Sequence, residues 1–394
     1  LFSFINFAIM KLNNFDDIRS FRDNEVNHYL KIVVKDPLFL EILAYQFGKE
    51  NLSWWLESIS KINTIKELQT TLLKPLLENL LQKSVSELTY SGLEYLDKNE
   101  SYLFISNHRD ILLDSFILNY IFFINGFETI ESAIGNNLLV MPWIEYLARL
   151  NKTFIVQRNL EGKKFYYASH KLSQYINDCL LNRNQSIWIA QQEGRSKDGN
   201  DITQSSLIRM ILLAADKGKE IELLNKYKII PVSLSYEYDP CVIYKIIDNY
   251  LHSHGKTFDK SDEFRLNEMK EGLIEYKGNV HFSISKPLSF KKNNQNLKDL
   301  IKLVTSQIDK EIHKNYIIYP FHWYCYDKVN NSSENIEKYY GKENEFENYI
   351  NNQINKLKIF TKNELDNVDA MILCIFKFYA QIVENYLKAC SFSL

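Results

Sequence analysis

The chain has 394 residues, 45% of them hydrophobic and 24% charged, with a formal net charge of −2. That length holds one large core with an appendage, or two domains, and the composition excludes a disordered chain. The near-neutral charge speaks against a strongly basic nucleic-acid surface, so no nucleic-acid partner is expected. The five cysteines, Cys179, Cys241, Cys325, Cys374 and Cys390, lie far apart. No two have the spacing of a zinc knuckle or a redox pair, which predicts buried or half-buried thiols and an intracellular setting.

Leu1 to Met10 is apolar but too short to span a bilayer, and no basic segment precedes it. Met10 is read as the initiator, with a surface anchor as the alternative. From Phe15 to about Ser84 apolar residues recur at three- and four-residue spacing, which predicts helices over Asn24–Val34, Pro37–Phe47 and Ile65–Leu81. Asp36-Pro37 reads as a capped helix start. These helices are expected to form a bundle on the main domain; the alternative is a membrane-surface helix.

After Ser91-Gly92 short strands alternate with helices. Strands are predicted at Tyr102–Ile105, Thr129–Ile134, Thr153–Gln157, Ser186–Ala190, Lys228–Ser235 and Val280–Ser285. Helices are predicted at Pro142–Leu150, Lys163–Leu181 and Leu207–Asp216. This alternation points to an α/β fold with a largely parallel sheet flanked by helices. Ile111–Ile124 is strongly apolar but broken by Asp114 and Asn119, so it is read as buried in the domain, not as a membrane span. From about Asn294 the chain turns helical again, over Leu297–His313, Asn344–Leu357 and Asp366–Leu387, with Asn330–Ser333 as an exposed linker. The organisation is thus a helical N-terminal region over 1–88, an α/β domain over 89–290 and a helical C-terminal region over 291–394.

Polar chemistry gathers where the first central strand ends, at Ser106-Asn107-His108-Arg109-Asp110-Ile111-Leu112-Leu113-Asp114. His108-Arg109-Asp110 invites comparison with a protein-kinase catalytic loop. That pattern needs an asparagine where Ser115 stands, and no glycine-rich loop accompanies it. Arg158 closes one later strand, and Glu193-Gly194-Arg195 closes another. Charges at the ends of buried parallel strands collect at one sheet edge, where an arginine fork can grip phosphate. Gly194 lets backbone approach a ligand closely.

From about Gly92 to Pro240 these blocks resemble the glycerolipid acyltransferase family, which includes glycerol-3-phosphate and lysophosphatidate acyltransferases. Asn107 to Asp114 resembles the family's histidine–aspartate motif. Phe154-Ile155-Val156-Gln157-Arg158 resembles its phosphate-contacting arginine motif. Trp188 to Ser196 resembles its glutamate–glycine motif, and Ile229-Ile230-Pro231-Val232 its proline strand. Two departures stand out. Five residues, not four, separate His108 from Asp114, and Gln191-Gln192 replaces the usual phenylalanine-proline. One extra residue on a helix rotates a side chain by roughly 100°, so Asp110 rivals Asp114 as the partner of His108. Asp114 is preferred because a carboxylate in an apolar run needs a partner.

The resemblance implies acyl transfer from an acyl thioester to the hydroxyl of a phosphorylated glycerol, 1-acyl-glycerol-3-phosphate first and glycerol-3-phosphate second. His108 is then a general base with an aspartate partner, and Arg158, Arg195 and Arg109 hold the acceptor phosphate. Glu193 positions the acceptor or those arginines, or else simply pairs with Arg195. Phe116 and Trp143 are candidates for an acyl groove or for core packing. Acyl-CoA or acyl-carrier protein is the expected co-substrate, with no metal or other cofactor. The setting implied is peripheral contact with the cytoplasmic face of a membrane. A lipid-binding protein without turnover remains the alternative from another class, supported by the irregular histidine–aspartate spacing.

Overall fold

Among the described residues, seven strands form one sheet in the order β1-β7-β6-β2-β5-β3-β4. They are β1 Glu87–Ser91, β2 Leu103–Ser106, β3 Glu131–Gly135, β4 Thr153–Val156, β5 Ile187–Ala190, β6 Ile229–Tyr236 and β7 Asn279–Ile284. β6, β2, β5, β3 and β4 run parallel, whereas β7 is antiparallel to β6 and pairs in parallel with β1. The largely parallel sheet predicted from the alternation is therefore present. The computed structural model describes residues 15–253, 261–291, 296–360 and 368–391. Leu1–Met10 and the start of the segment expected over Asp366–Leu387 lie outside the described residues.

The strands read clearly where both faces are covered. Every residue of β2 and β6 is buried, and continuous apolar runs are what such strands require. β1 is the opposite case. It is short, polar and mostly exposed, and it joins the edge through its ladder from Glu87↔Asn279 to Ser91↔Ser283. Gly92 ends it at φ 89°, and a Cβ there would sit 1.8 Å from the Ile284 carbonyl oxygen, so only glycine fits the turn.

The N-terminal helices are α1 Asp23–Val33, α2 Pro37–Phe47, α3 Leu52–Ser60, α4 Ile65–Leu68 and α5 Lys74–Ser84. Asp36 caps α2 through the Leu38 and Phe39 amides, as its sequence predicts. The sheet helices are α6 Leu113–Ile124, α7 Pro142–Leu150, α8 Gly162–Asn177, α9 Ser205–Ile211 and α10 Glu220–Tyr227. Two more, α11 Val242–Ser253 and α12 Asp262–Ile274, lie between β6 and β7. The C-terminal helices are α13 Leu297–Lys314, α14 Pro320–Asn330, α15 Glu343–Phe360 and α16 Val368–Ser391.

Period-two alternation splits the core across the sheet. Phe104, Ile230 and Val232 pack on one face with Ile117, Leu118 and Ile121 of α6. Leu103 and Ile105 face the other side, in one cluster with Ile308 of α13, Phe346 of α15 and Tyr379 of α16. The C-terminal helices are therefore part of the main core. Helices α1 to α4 form their own cluster, closed on the sheet domain by Leu150 of α7, whereas Leu77 and Leu81 of α5 join the sheet core. α16 is the described helix long and apolar enough to cross a membrane. Its Met371, Ile375, Phe378, Tyr379 and Ile382 are buried in the cluster that holds Leu103 and Ile105.

Arg109 ties the C-terminal helices to the end of β2, and here an expectation is corrected. Arg109 was expected to hold acceptor phosphate, but it is 2% exposed and lies among protein partners. Its Nη2 donates to Asp201 Oδ2 at 2.5 Å, its Nη1 lies 3.8 Å from Asp239 Oδ2, and its guanidinium covers the Phe378 ring at 5.5 Å. Lys245 pairs with Asp239 and donates to the Arg109 carbonyl at 2.7 Å. Tyr316 donates to Asp201 Oδ2 at 2.5 Å, and the Asp239 amide donates to Tyr379 Oη at 2.8 Å. Two cations thus balance two anions, without which their burial would be prohibitive. Removing one partner leaves the others uncompensated. Arg109→Ala is expected to lower stability by about 3–5 kcal/mol in urea unfolding, and an unchanged midpoint would refute the assignment.

Candidate active site

β2 delivers the motif to the carboxyl edge of the sheet, where ligands bind in open parallel folds. Asn107 continues the strand by side chain: its Nδ2 donates to Leu234 O at 2.9 Å and its Oδ1 accepts from Leu234 N at 2.8 Å. The chain then loops, and Asp110 Oδ1 caps α6 by accepting from the amides of Leu112 at 2.9 Å and Leu113 at 2.7 Å. Because α6 starts only at Leu113, Asp114 sits in its first turn and points back along the loop. The extra residue is absorbed before the helix begins.

His108 Nδ1 consequently donates to Asp114 Oδ2 at 2.8 Å. The same oxygen accepts from the amides of Arg109 at 2.6 Å and Asp110 at 3.0 Å, while Oδ1 accepts from Tyr236 Oη at 2.8 Å. Asp114, not Asp110, is the imidazole's partner. Burial alone would raise the Asp114 carboxyl, but its bond to His108 and the two amides outweighs burial and holds it below the usual range. The resulting stabilisation is present above the ordinary carboxylate value and is lost as pH falls through the lowered one. An ionised Asp114 requires the proton on Nδ1, so in the neutral imidazole the lone pair is carried by Nε2. Nε2 makes no hydrogen bond among the described residues, and the ring lines an open cleft.

That cleft, of about 400 Å³, runs past the carboxyl ends of β2, β5, β3 and β4. Trp188 meets the His108 ring edge-on at 5.7 Å, with its Nε1 fixed by Ser106 Oγ at 2.9 Å. The Ser196 amide donates to His108 O at 3.1 Å, so the glutamate–glycine loop closes on the base motif. Gly194 has φ 74° and no atom within 4 Å of a hypothetical Cβ, leaving bare backbone toward the cleft. In the altered pair before Glu193, Gln191 is buried and Gln192 lines the cleft.

Arg158 and Arg195 both line the cleft, but their partners differ from the simple expectation. Glu193 pairs with Arg158, Oε1 to Nη1 at 2.9 Å, not with Arg195. Arg195 is held by Glu268 of α12, Nη2 to Oε1 at 2.5 Å, and its buried Nη1 has no hydrogen-bond partner among the described residues. The sequence reading missed α11 and α12, which bring Tyr244, Arg265 and Glu268 to the cleft wall. The signal was Arg265 and Glu268 at helical spacing in an otherwise polar stretch. It also missed Tyr236, whose inward position follows from the alternation of Val232, Leu234 and Tyr236 along β6.

The acyl-groove candidates are placed elsewhere. Phe116 and Trp143 do not line the cleft; both pack against the N-terminal cluster, with Trp143 5.8 Å from Phe39. They extend from the sides of α6 and α7 turned to that bundle. The apolar wall is built instead by residues such as Ile134, Leu138, Val156, Phe165, Leu207 and Met210.

Comparison with known proteins matches residues 87–235 to the family described as Acyltransferase. The chain is 21% identical over 274 residues to the dihydroxyacetone phosphate acyltransferase of Homo sapiens, covering 68% of this chain and 38% of that protein. It is 22% identical over 190 residues to the Bos taurus protein of the same name, covering 48% of this chain and 26% of the relative. The chain thus spans about two fifths or less of the length of these curated relatives. Among solved structures it is similar to the 1-acyl-sn-glycerophosphate (LPA) acyltransferase PlsC of Thermotoga maritima, at TM-score 0.35 and 14% identity, covering 73% of this chain and 94% of that one. The matched residues begin with β1 and end within β6, and so contain His108, Asp114, Arg158 and the Glu193–Arg195 loop. Through this segment, the chain is similar to glycerolipid acyltransferases.

Proposed function

We propose that this protein transfers a fatty acyl group from an acyl thioester to a hydroxyl of a phosphorylated glycerol, with 1-acyl-glycerol-3-phosphate as acceptor. The observation that carries the reading is the Asp114–His108 pair, whose imidazole lines a cleft that also contains Arg158 and Arg195. Nε2 takes the acceptor's hydroxyl proton as the oxygen attacks the thioester carbonyl. The tetrahedral intermediate collapses, the C–S bond breaks, and the sulfur leaves with the proton from His108. Asp114 holds the tautomer and stabilises the imidazolium between the two steps, a role like that of the aspartate in a serine-protease triad. The hydroxyl attacks directly, so the reaction needs no acyl-enzyme and no metal.

Arg158 and Arg195 suit the acceptor phosphate, because a guanidinium presents a planar fork of donors. The unpartnered Nη1 of Arg195 is a donor in want of an acceptor. Dihydroxyacetone phosphate is the second acceptor reading, favoured by the names of the mammalian relatives; glycerol-3-phosphate shares the same chemistry. The donor reads as acyl-CoA or acyl-carrier protein. The non-catalytic reading drew its support from the irregular spacing, and the contact between His108 and Asp114 removes that support.

Membrane contact at the cytoplasmic face belongs to the same proposal. Lys163, Lys164, Phe165, Tyr166 and Tyr167 open α8, the three aromatics are 56%, 57% and 58% exposed, and Phe165 also lines the cleft. Aromatic rings with lysines suit an anionic lipid surface.

Purified protein with each donor and each of the three acceptors tests the reaction. His108→Ala should abolish turnover and Asp114→Asn should lower kcat about a hundredfold or more, with Asp110→Asn near native because its Oδ1 still caps α6. A larger loss at Asp110 would overturn the assignment. Arg158→Ala should raise the acceptor KM about tenfold and leave the donor KM unchanged; an unmoved acceptor KM removes its phosphate role. In vesicle sedimentation, Lys163→Glu with Lys164→Glu should weaken binding to phosphatidylglycerol vesicles about tenfold or more. Equal binding by native chain and variant would discard α8 as the contact.

A further inference from the structure

Asp114 has no solvent exposure, and its carboxylate can rotate about a broad, nearly two-fold torsion. Its two oxygens are not held alike. Oδ2 collects His108 and two backbone amides, whereas Oδ1 has one donor among the described residues, the Tyr236 hydroxyl at 2.8 Å. Tyr236 lies one residue beyond the span that matches the family.

We propose that Tyr236 is the positioning residue of the base, its hydroxyl fixing the Asp114 carboxylate so that Oδ2 faces His108 Nδ1. The inference rests on the acyl-transfer reading for its kinetic consequence, but not for its structural one. Tyr236 is itself immobilised. It ends β6 in register with Val280, its ring meets Phe282 edge-on at 6.4 Å, and its carbonyl accepts from His322 Nε2 at 3.1 Å. His322 of α14 stacks on Tyr379 of α16 at 5.3 Å, so two C-terminal helices brace the strand end that presents the hydroxyl. Burial, with the Asp114 charge beside it, pushes the Tyr236 hydroxyl far up, so it stays protonated and can donate to the carboxylate. This assigns the C-terminal helices a task in the site: they hold the strand that holds the carboxylate.

Tyr236→Phe removes the donor and little else. In the full-length chain it is expected to lower kcat about tenfold while both KM values stay within about twofold. Nitrogen-15 NMR of labelled histidine reads the same effect without turnover. The native His108 ring should show one tautomer, protonated at Nδ1, and the variant a mixture. Should the variant fail to fold by circular dichroism, 3-fluorotyrosine at position 236 keeps ring and hydroxyl and changes only the donor strength. The His108 Nδ1 resonance should then move. An unchanged tautomer in the phenylalanine variant, or an unmoved resonance in the fluorinated one, overturns the proposal. A released tautomer in a chain that transfers no acyl group from either donor supports the positioning role while removing the acyl-transfer reading.

Discussion

A carboxylate with no access to water must find its donors within the protein, and Asp114 sets that demand at the centre of this fold. Its four hydrogen bonds come from three consecutive residues of the base loop and from the last residue of β6. Meeting them fixes the path of residues 108–110, delays α6 until Leu113 and requires β6 to run to Tyr236. The orientation of His108 follows from that arrangement. Orienting the base is thus achieved by satisfying a buried charge, two requirements met by one set of bonds.

A second group of buried charges locks the same backbone. Arg109 does not line the cleft; its guanidinium ends between Asp201, Asp239 and the Phe378 ring. Adjacent residues therefore divide the work: the imidazole faces substrate, and the guanidinium joins the site to the C-terminal helices. A fully desolvated arginine paired in this way cannot also bind a ligand phosphate without abandoning its partners.

The cleft keeps its working cations in reserve. Arg158 and Arg195 each hold one carboxylate, from Glu193 and Glu268, at 2.9 Å and 2.5 Å. Such pairing orients a guanidinium fork while leaving other donors available, as the unpartnered Nη1 of Arg195 shows. Glu268 belongs to the segment between β6 and β7, so that segment shapes the cleft as much as the motif loops do.

The order of the elements was legible in the sequence, because strands covered on both faces must be continuously apolar and the helices between them carry an apolar stripe. β2, β5 and β6 and the motif residues at the edge of the sheet could be placed from that pattern alone. β1 could not, since an exposed edge strand needs no apolar run. α12 was hidden because its buried residues mix Phe264 and Met269 with Glu268 and Gly272, which breaks up a hydrophobic stripe. Spacing alone left Asp110 and Asp114 as rivals, since it does not say where a helix begins. The tertiary structure decided it: Asp110 caps α6, which lets Asp114 turn back to His108. The roles of Arg109 and Tyr236 were decided the same way, by partners more than 90 residues distant in the chain. A single sequence names the residue types that chemistry requires. Which of them meet depends on long-range packing, because burial is decided only when distant segments close around a charge.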